Sequence, residues 1–149
     1  MGQAPMEPIF PYANTLAAVL ILIIGFGLHW LGQATAVFKP DLAIRLGILE
    51  KDLLPEFQAY EDGIAKADVI IGWIYPLAVI GLLMDAGWGT RLAWVPGVIF
   101  VYHGLSVWFW EANRRKLGHI YFSEPFRRLW CFANIGAGLL VILVAWQAK

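Results

Sequence analysis

Residues Leu16–Leu28 read LAAVLILIIGFGL, thirteen consecutive positions without a charge. Extended to Ala13 and Gln33, the run has the roughly 20 mostly apolar residues with which an α-helix crosses the hydrocarbon core of a bilayer. Three further runs qualify, at residues 65–84, 92–112 and 129–147. Four such runs in 149 residues are more than one soluble core can hide. The expectation is an all-α, polytopic membrane protein: one membrane domain over residues 1–149, folded as an antiparallel four-transmembrane-helix bundle.

Composition agrees. Hydrophobic residues make up 60% of the chain and charged residues 15%, against roughly 45–50% and about 25% in soluble domains. Net charge is zero, so overall charge points to no nucleic-acid partner. Cys131 is the sole cysteine, which excludes an intrachain disulfide and a Cys-based zinc cluster. The stretch Met1–Asn14 has no Lys or Arg. A secretory signal needs a basic n-region, so the first run is read as a retained span.

Orientation follows from the basic residues beside the spans. Lys39, Arg45, Lys51 and Lys66 flank the first long connection, and Arg114, Arg115, Lys116, Arg127 and Arg128 the second. Only Arg91 and Lys149 fall on the other side. Both long loops are therefore expected in the cytoplasm, with the termini and the Asp85–Arg91 turn outside. This is a multi-pass arrangement in the cell membrane, the inner membrane if the source is bacterial. The five basic residues of the second loop suit anionic lipid headgroups as partners, and a homo-oligomer or a larger membrane complex is open to such a chain.

Pro40 suits a first helical turn, and Leu42, Leu46, Leu49 and Leu53 follow at helical spacing. That predicts a short amphipathic helix in the first cytoplasmic loop, on the membrane surface or packed over the bundle. Residues 55–66 are expected to run as helix into the second span, loosened at Gly63. Ser123 is placed to cap the fourth helix, with Pro125 in its first turn. The glycine-rich outer turn can join only neighbours, so the second and third spans should pack together.

Polar residues inside a span usually face protein or a water-filled cavity. At helical spacing Ala18, Gly25, His29 and Gly32 align in the first span, and Asp68, Gly72, Tyr75 and Val79 in the second, where Pro76 can kink the helix. Tyr102, His103, Ser106, Trp110 and Asn113 align in the third span, and Cys131, Asn134 and Gly138 in the fourth. Small residues also let membrane helices approach one another, which accounts for the glycines, Cys131 and Ser106. His29, Asp68, Trp110, Glu111, Asn113 and Asn134 fall in the cytoplasmic half and His103 near the middle, while the outer halves are almost purely apolar. The pattern predicts a polar intramembrane pocket open to the cytoplasm.

Three functions suit this pattern. A binding module would take a lipid, quinone or other lipophilic molecule, or dock a partner subunit, through His29, Tyr75, Tyr102, His103, Ser106, Trp110, Asn113 and Asn134. A membrane-embedded enzyme would use His103 with Asp68 or Glu111 as an acid–base pair in isomerase-like chemistry; both acids can instead meet Arg114 or Arg115 near the headgroups. A b-type haem protein would use His29 and His103 as axial ligands, although their estimated depths differ by roughly 7 Å at 1.5 Å per residue. No residue pattern names a cofactor, and no metal site other than that pair is expected. Length and topology are similar to the membrane-associated enzymes of glutathione metabolism, but the Arg…Asn…Glu pattern of their second helix is absent from residues 65–73, AKADVIIGW. The bundle also resembles the emopamil-binding-type sterol isomerases in its aromatic and acidic interior. No motif matches residue by residue, and neither resemblance carries a site across.

Overall fold

The computed structural model describes residues 10–147; Lys149, counted above on the outer side, lies outside them. Four helices are long and apolar enough to cross a membrane: α1 (Ala13–Phe38), α3 (Pro55–Leu83), α4 (Gly87–Lys116) and α5 (Glu124–Gln147). The short α2 (Pro40–Arg45) sits between the first two. The protein is an all-α membrane bundle, and among the described residues there is no strand. Each long helix leaves most of its apolar surface uncovered inside the bundle, as expected where lipid is the outer solvent.

Each of the four long helices extends beyond its apolar run. Hydropathy marks where hydrocarbon would lie, whereas the backbone hydrogen bonds continue into the polar margin. The residues expected to form the outer turn show this best. Only Met84–Ala86 connect α3 to α4, with Asp85 in the left-handed region at φ 49°, and α4 is already helical from Gly87. Asn14 Nδ2 donates to Asp85 Oδ1 at 2.9 Å, fastening α1 to this turn.

Helix α3 is continuous from Pro55, as expected, but it breaks at Gly72–Trp73 and not at Gly63. The cause is Pro76, whose ring nitrogen has no proton for the Gly72 carbonyl four residues back. That carbonyl accepts from Tyr75 N–H at 3.1 Å instead. The Val69 carbonyl beside the break accepts the Trp30 indole N–H at 3.0 Å. Helix α2 begins at Pro40 but is shorter than the leucine row. Gly47, at φ 70°, turns the chain into the left-handed region, so Leu49 and Leu53 lie beyond the helix. At the start of α5 the Ser123 hydroxyl accepts the Phe126 N–H at 3.4 Å, the expected cap.

Packing runs α1 to α3, α3 to α4, α4 to α5 and α5 back to α1. Helices α3 and α4 are neighbours, as the short turn requires. The contacts are close enough that side chains are excluded at crossing points. A Cβ on Gly89 would lie 2.2 Å from the Gly81 backbone, and one on Gly138 would lie 2.6 Å from the Gly97 carbonyl oxygen. Without a hydrophobic drive between helices in lipid, this approach supplies the van der Waals contact that holds them. Ala17, Ala18, Ile21, Ala78, Leu82, Phe100 and Val141 fill the interior around these crossings.

Candidate functional site

His29 and His103 come together. Their ring centroids are 4.2 Å apart, which removes the depth difference estimated from span boundaries. His29 lies sixteen residues past Ala13, and His103 sixteen past Gly87. Helices α1 and α4 run the same way, so equal counts give equal depth. The earlier estimate began the third span five residues late, an error of about 7.5 Å.

His29 stands on a π-helical stretch, Ile21–Trp30. Such windings are rare and recur at functional positions. Around the two rings stand Tyr75, Phe100 and Trp130, with centroids 5.4–6.4 Å from that of His29. Trp130 Nε1–H donates to His103 Nε2 at 3.2 Å, and Asn134 Nδ2–H donates to the Trp130 carbonyl at 2.9 Å. The Asn134 side chain also lies beside His29. His29 is 7% exposed and Asn134 1%; the two side chains face each other, but neither His29 Nε2 nor Asn134 Oδ1 has a well-aligned hydrogen bond.

The remaining candidates divide. Tyr75 is buried against Gly25, and Ser106 is half-buried on the flank of α4. Tyr102 is 70% exposed and Asn113 is also exposed, both turned away from the bundle interior. The interior face of α4 carries Ala93, Gly97, Phe100, Gly104, Glu111 and Arg114 instead, one position round from the expected stripe. Asp68 is half-buried, within electrostatic reach of Tyr75. Glu111 lies eight residues past His103, about 12 Å along the helix, so these two do not form an acid–base pair.

The histidines as placed do not bracket an iron. Two axial imidazoles on opposite sides of a haem iron, with metal–nitrogen bonds of about 2 Å, keep their ring centres about 6 Å apart. Rings at 4.2 Å leave no room for the ion or a porphyrin between them. Among the described residues no three His, Cys, Asp or Glu side chains gather as metal ligands.

A second polar region lies at the end of the bundle carrying most of the basic residues, where sequence anticipated only the meeting of Glu111 with Arg114 or Arg115. Arg114, 2% exposed, donates to Glu50 Oε2 at 2.6 Å and lies 3.9 Å from Glu111 Oε1. Its guanidinium faces the rings of Phe57, Trp110 and Tyr121, a desolvated cation–π setting. Arg115 Nε is 3.8 Å from Glu111 Oε2, and its Nη2 donates to the Phe122 carbonyl. Arg127 binds Glu124 through two nitrogens, at 2.9 and 3.1 Å, and stacks over Trp108 at 4.1 Å. Tyr121 O–H donates to the Gly47 carbonyl at 2.9 Å, closing the first loop over the second. Burial, together with Glu61 and Glu50, pushes the Tyr121 hydroxyl up to about 12.

Trp130 is the functional candidate that sequence reasoning missed. It sits four residues before Asn134 and so on the same helical face. Glu50 gave no signal, because its partner Arg114 is 64 residues away. No known protein family, curated protein or solved structure matches this chain.

Proposed function

We propose that this integral membrane protein binds a lipophilic molecule, a lipid or quinone-type compound, at the His29–His103 pair. The observation that carries the reading is the pair of histidines in contact within the bundle, with His29 Nε2 and Asn134 Oδ1 buried and without a well-aligned hydrogen bond. Under-satisfied polar atoms in a well-packed interior generally mark a ligand, an ordered water or a functional group. Aromatic walls around them suit an apolar ring or chain. The π-helical winding under His29 is an independent pointer to the same place.

The nine basic residues flanking the long loops support an orientation with those loops in the cytoplasm and the ligand approached from that side. Lys116 is exposed there, as is Arg128 beside Glu124, and both suit anionic headgroups, whereas Arg114 and Arg127 are buried in their ion pairs. The test is purification in mild detergent followed by extraction and mass spectrometry of bound lipids. One lipophile should be enriched over bulk lipid in the native protein and lost from folded His29→Phe. Identical bulk-lipid profiles in both would end the binding reading.

A second reading has its own observation. Tyr102 is 70% exposed midway along α4, where a phenol facing hydrocarbon is unfavourable. A partner subunit or second copy covering that face of α4 would resolve it, and cysteine cross-linking at position 102 in membranes is the direct check.

A further inference from the structure

Resting on the second reading above, that protein covers the outward face of α4, we infer that the cover is a second copy of this chain, seated α4 against α4. The exposed surface of the bundle is not uniform. From Leu16 to Leu31, Ile70 to Leu83 and Leu129 to Leu143, every exposed side chain of the other three spanning helices lacks a hydroxyl, a carboxamide and a charge. Helix α4 differs, with Tyr102 exposed and Ser106 half-buried one turn further on. Tyr102 stands eleven residues from exposed Arg91 and fourteen from exposed Lys116, about 17 and 21 Å at 1.5 Å per residue. A phenol is too short to reach water from that depth, so its hydroxyl is satisfied there by protein.

Val95, Val98, Tyr102, Leu105 and Phe109 are all exposed and follow one another at alternating steps of three and four, the seam of a left-handed helix pair. Two copies inserted the same way round share a two-fold axis along the membrane normal. Helix α4 then lies parallel to its counterpart, and each seam residue meets its own copy at its own depth. Such a seam accepts only groups that can pair with themselves. A hydroxyl both donates and accepts, so Tyr102 can bond to its own counterpart. Ser106, about 40° round the helix from Tyr102, has the same property. A lone carboxylate or ammonium would be repelled by its copy, and α4 carries no Asp, Glu, Lys or Arg between Arg91 and Glu111. Arg91 and Lys116 enter the row only at its ends, where long stems carry their charges out into the headgroups.

The experiment is disulfide trapping of the full chain in cell membranes. Val98→Cys and Leu105→Cys leave Tyr102 in place, and on oxidation each should give a product of twice the chain mass. Leu22→Cys, Ile80→Cys and Leu139→Cys, exposed on the other three helices, should stay monomeric, as should the native chain with its buried Cys131. Fluorescently labelled protein diluted into lipid vesicles then gives the dimer dissociation constant. Tyr102→Phe should raise it about threefold, the usual effect of one hydrogen bond between membrane helices. An unchanged constant would remove the hydroxyl pairing and overturn the inference, as would equal dimer yields from all five cysteine positions. Products of another mass at positions 98 and 105 would overturn the second copy and leave the covered-face reading standing. No product of any mass at 98, 102 or 105 would end both.

Discussion

At the turn end of the bundle, α3 and α4 meet backbone to backbone, with Gly81 and Gly89 leaving no space for a Cβ. At the basic end, past the Gly72–Trp73 break, the same two helices stand apart. Large side chains span the gap there, with Phe57 and Tyr60 each 5.2 Å from Trp110, while buried Arg114 ties α4 to Glu50 of the first loop. The two ends are thus joined by different forces. Close helix crossings work by shape, which is short-ranged and intolerant of added atoms. The basic end works by charge pairing and rings near the expected water boundary, where a lost partner leaves an ion stranded.

Removing that ion pairing is expected to have the largest effect. Arg114→Met leaves buried Glu111 with Arg115 alone and releases Glu50, which should destabilise the protein by about 3–5 kcal/mol. Denaturant titration in detergent micelles would measure it, with faster hydrogen exchange expected in residues 46–54. Gly138→Ala attacks the other mode, placing a methyl 2.6 Å from the Gly97 carbonyl, and should destabilise by about 1–3 kcal/mol. If Gly138→Ala proves the more damaging, the ranking of charge over shape at the two ends is wrong.

Tyr121→Phe sharpens the contrast further, deleting one hydrogen bond between the loops for about 0.5–1.5 kcal/mol. It also carries a pH signature. The Tyr121 pKa is raised from 10.0 to about 12, so the unfolded chain releases this proton first as pH rises. The contribution is fully present below about pH 10 and lost by about pH 12. The native protein should therefore lose stability across that window more steeply than Tyr121→Phe, and parallel curves would contradict the assignment. Arg128→Gln should produce the smallest change. Its bond to Glu124 is exposed, and exposed pairs contribute little, so no resolvable shift of the midpoint is expected.

The four spans were legible because apolar length is a strong signal that needs no knowledge of contacts. Packing faces were legible where small residues repeat, as with Cys131, Asn134 and Gly138, all buried. Helix ends were not, since Gly87–Arg91 is glycine-rich and polar enough to read as a turn. That one misplacement hid the pairing of His29 with His103. It also accompanied a face of α4 assigned one position away, with Tyr102 and Asn113 turned inward instead of outward. The rest of the basic-end network was out of reach for another reason: Glu50 and Tyr121 carry no periodic pattern, and only the closed loops bring them to Arg114 and Gly47.

The equal spacing of the two histidines makes α1 and α4 a pair of matched rulers laid from the same edge. One residue inserted between Gly87 and Tyr102 would lower His103 by about 1.5 Å and swing it about 100° round the helix, away from His29. The same residue inserted into Met84–Ala86 would lengthen a loop and leave both rulers intact. Natural variation in length should therefore gather in the connections, and the sixteen-residue interval before each histidine should be kept.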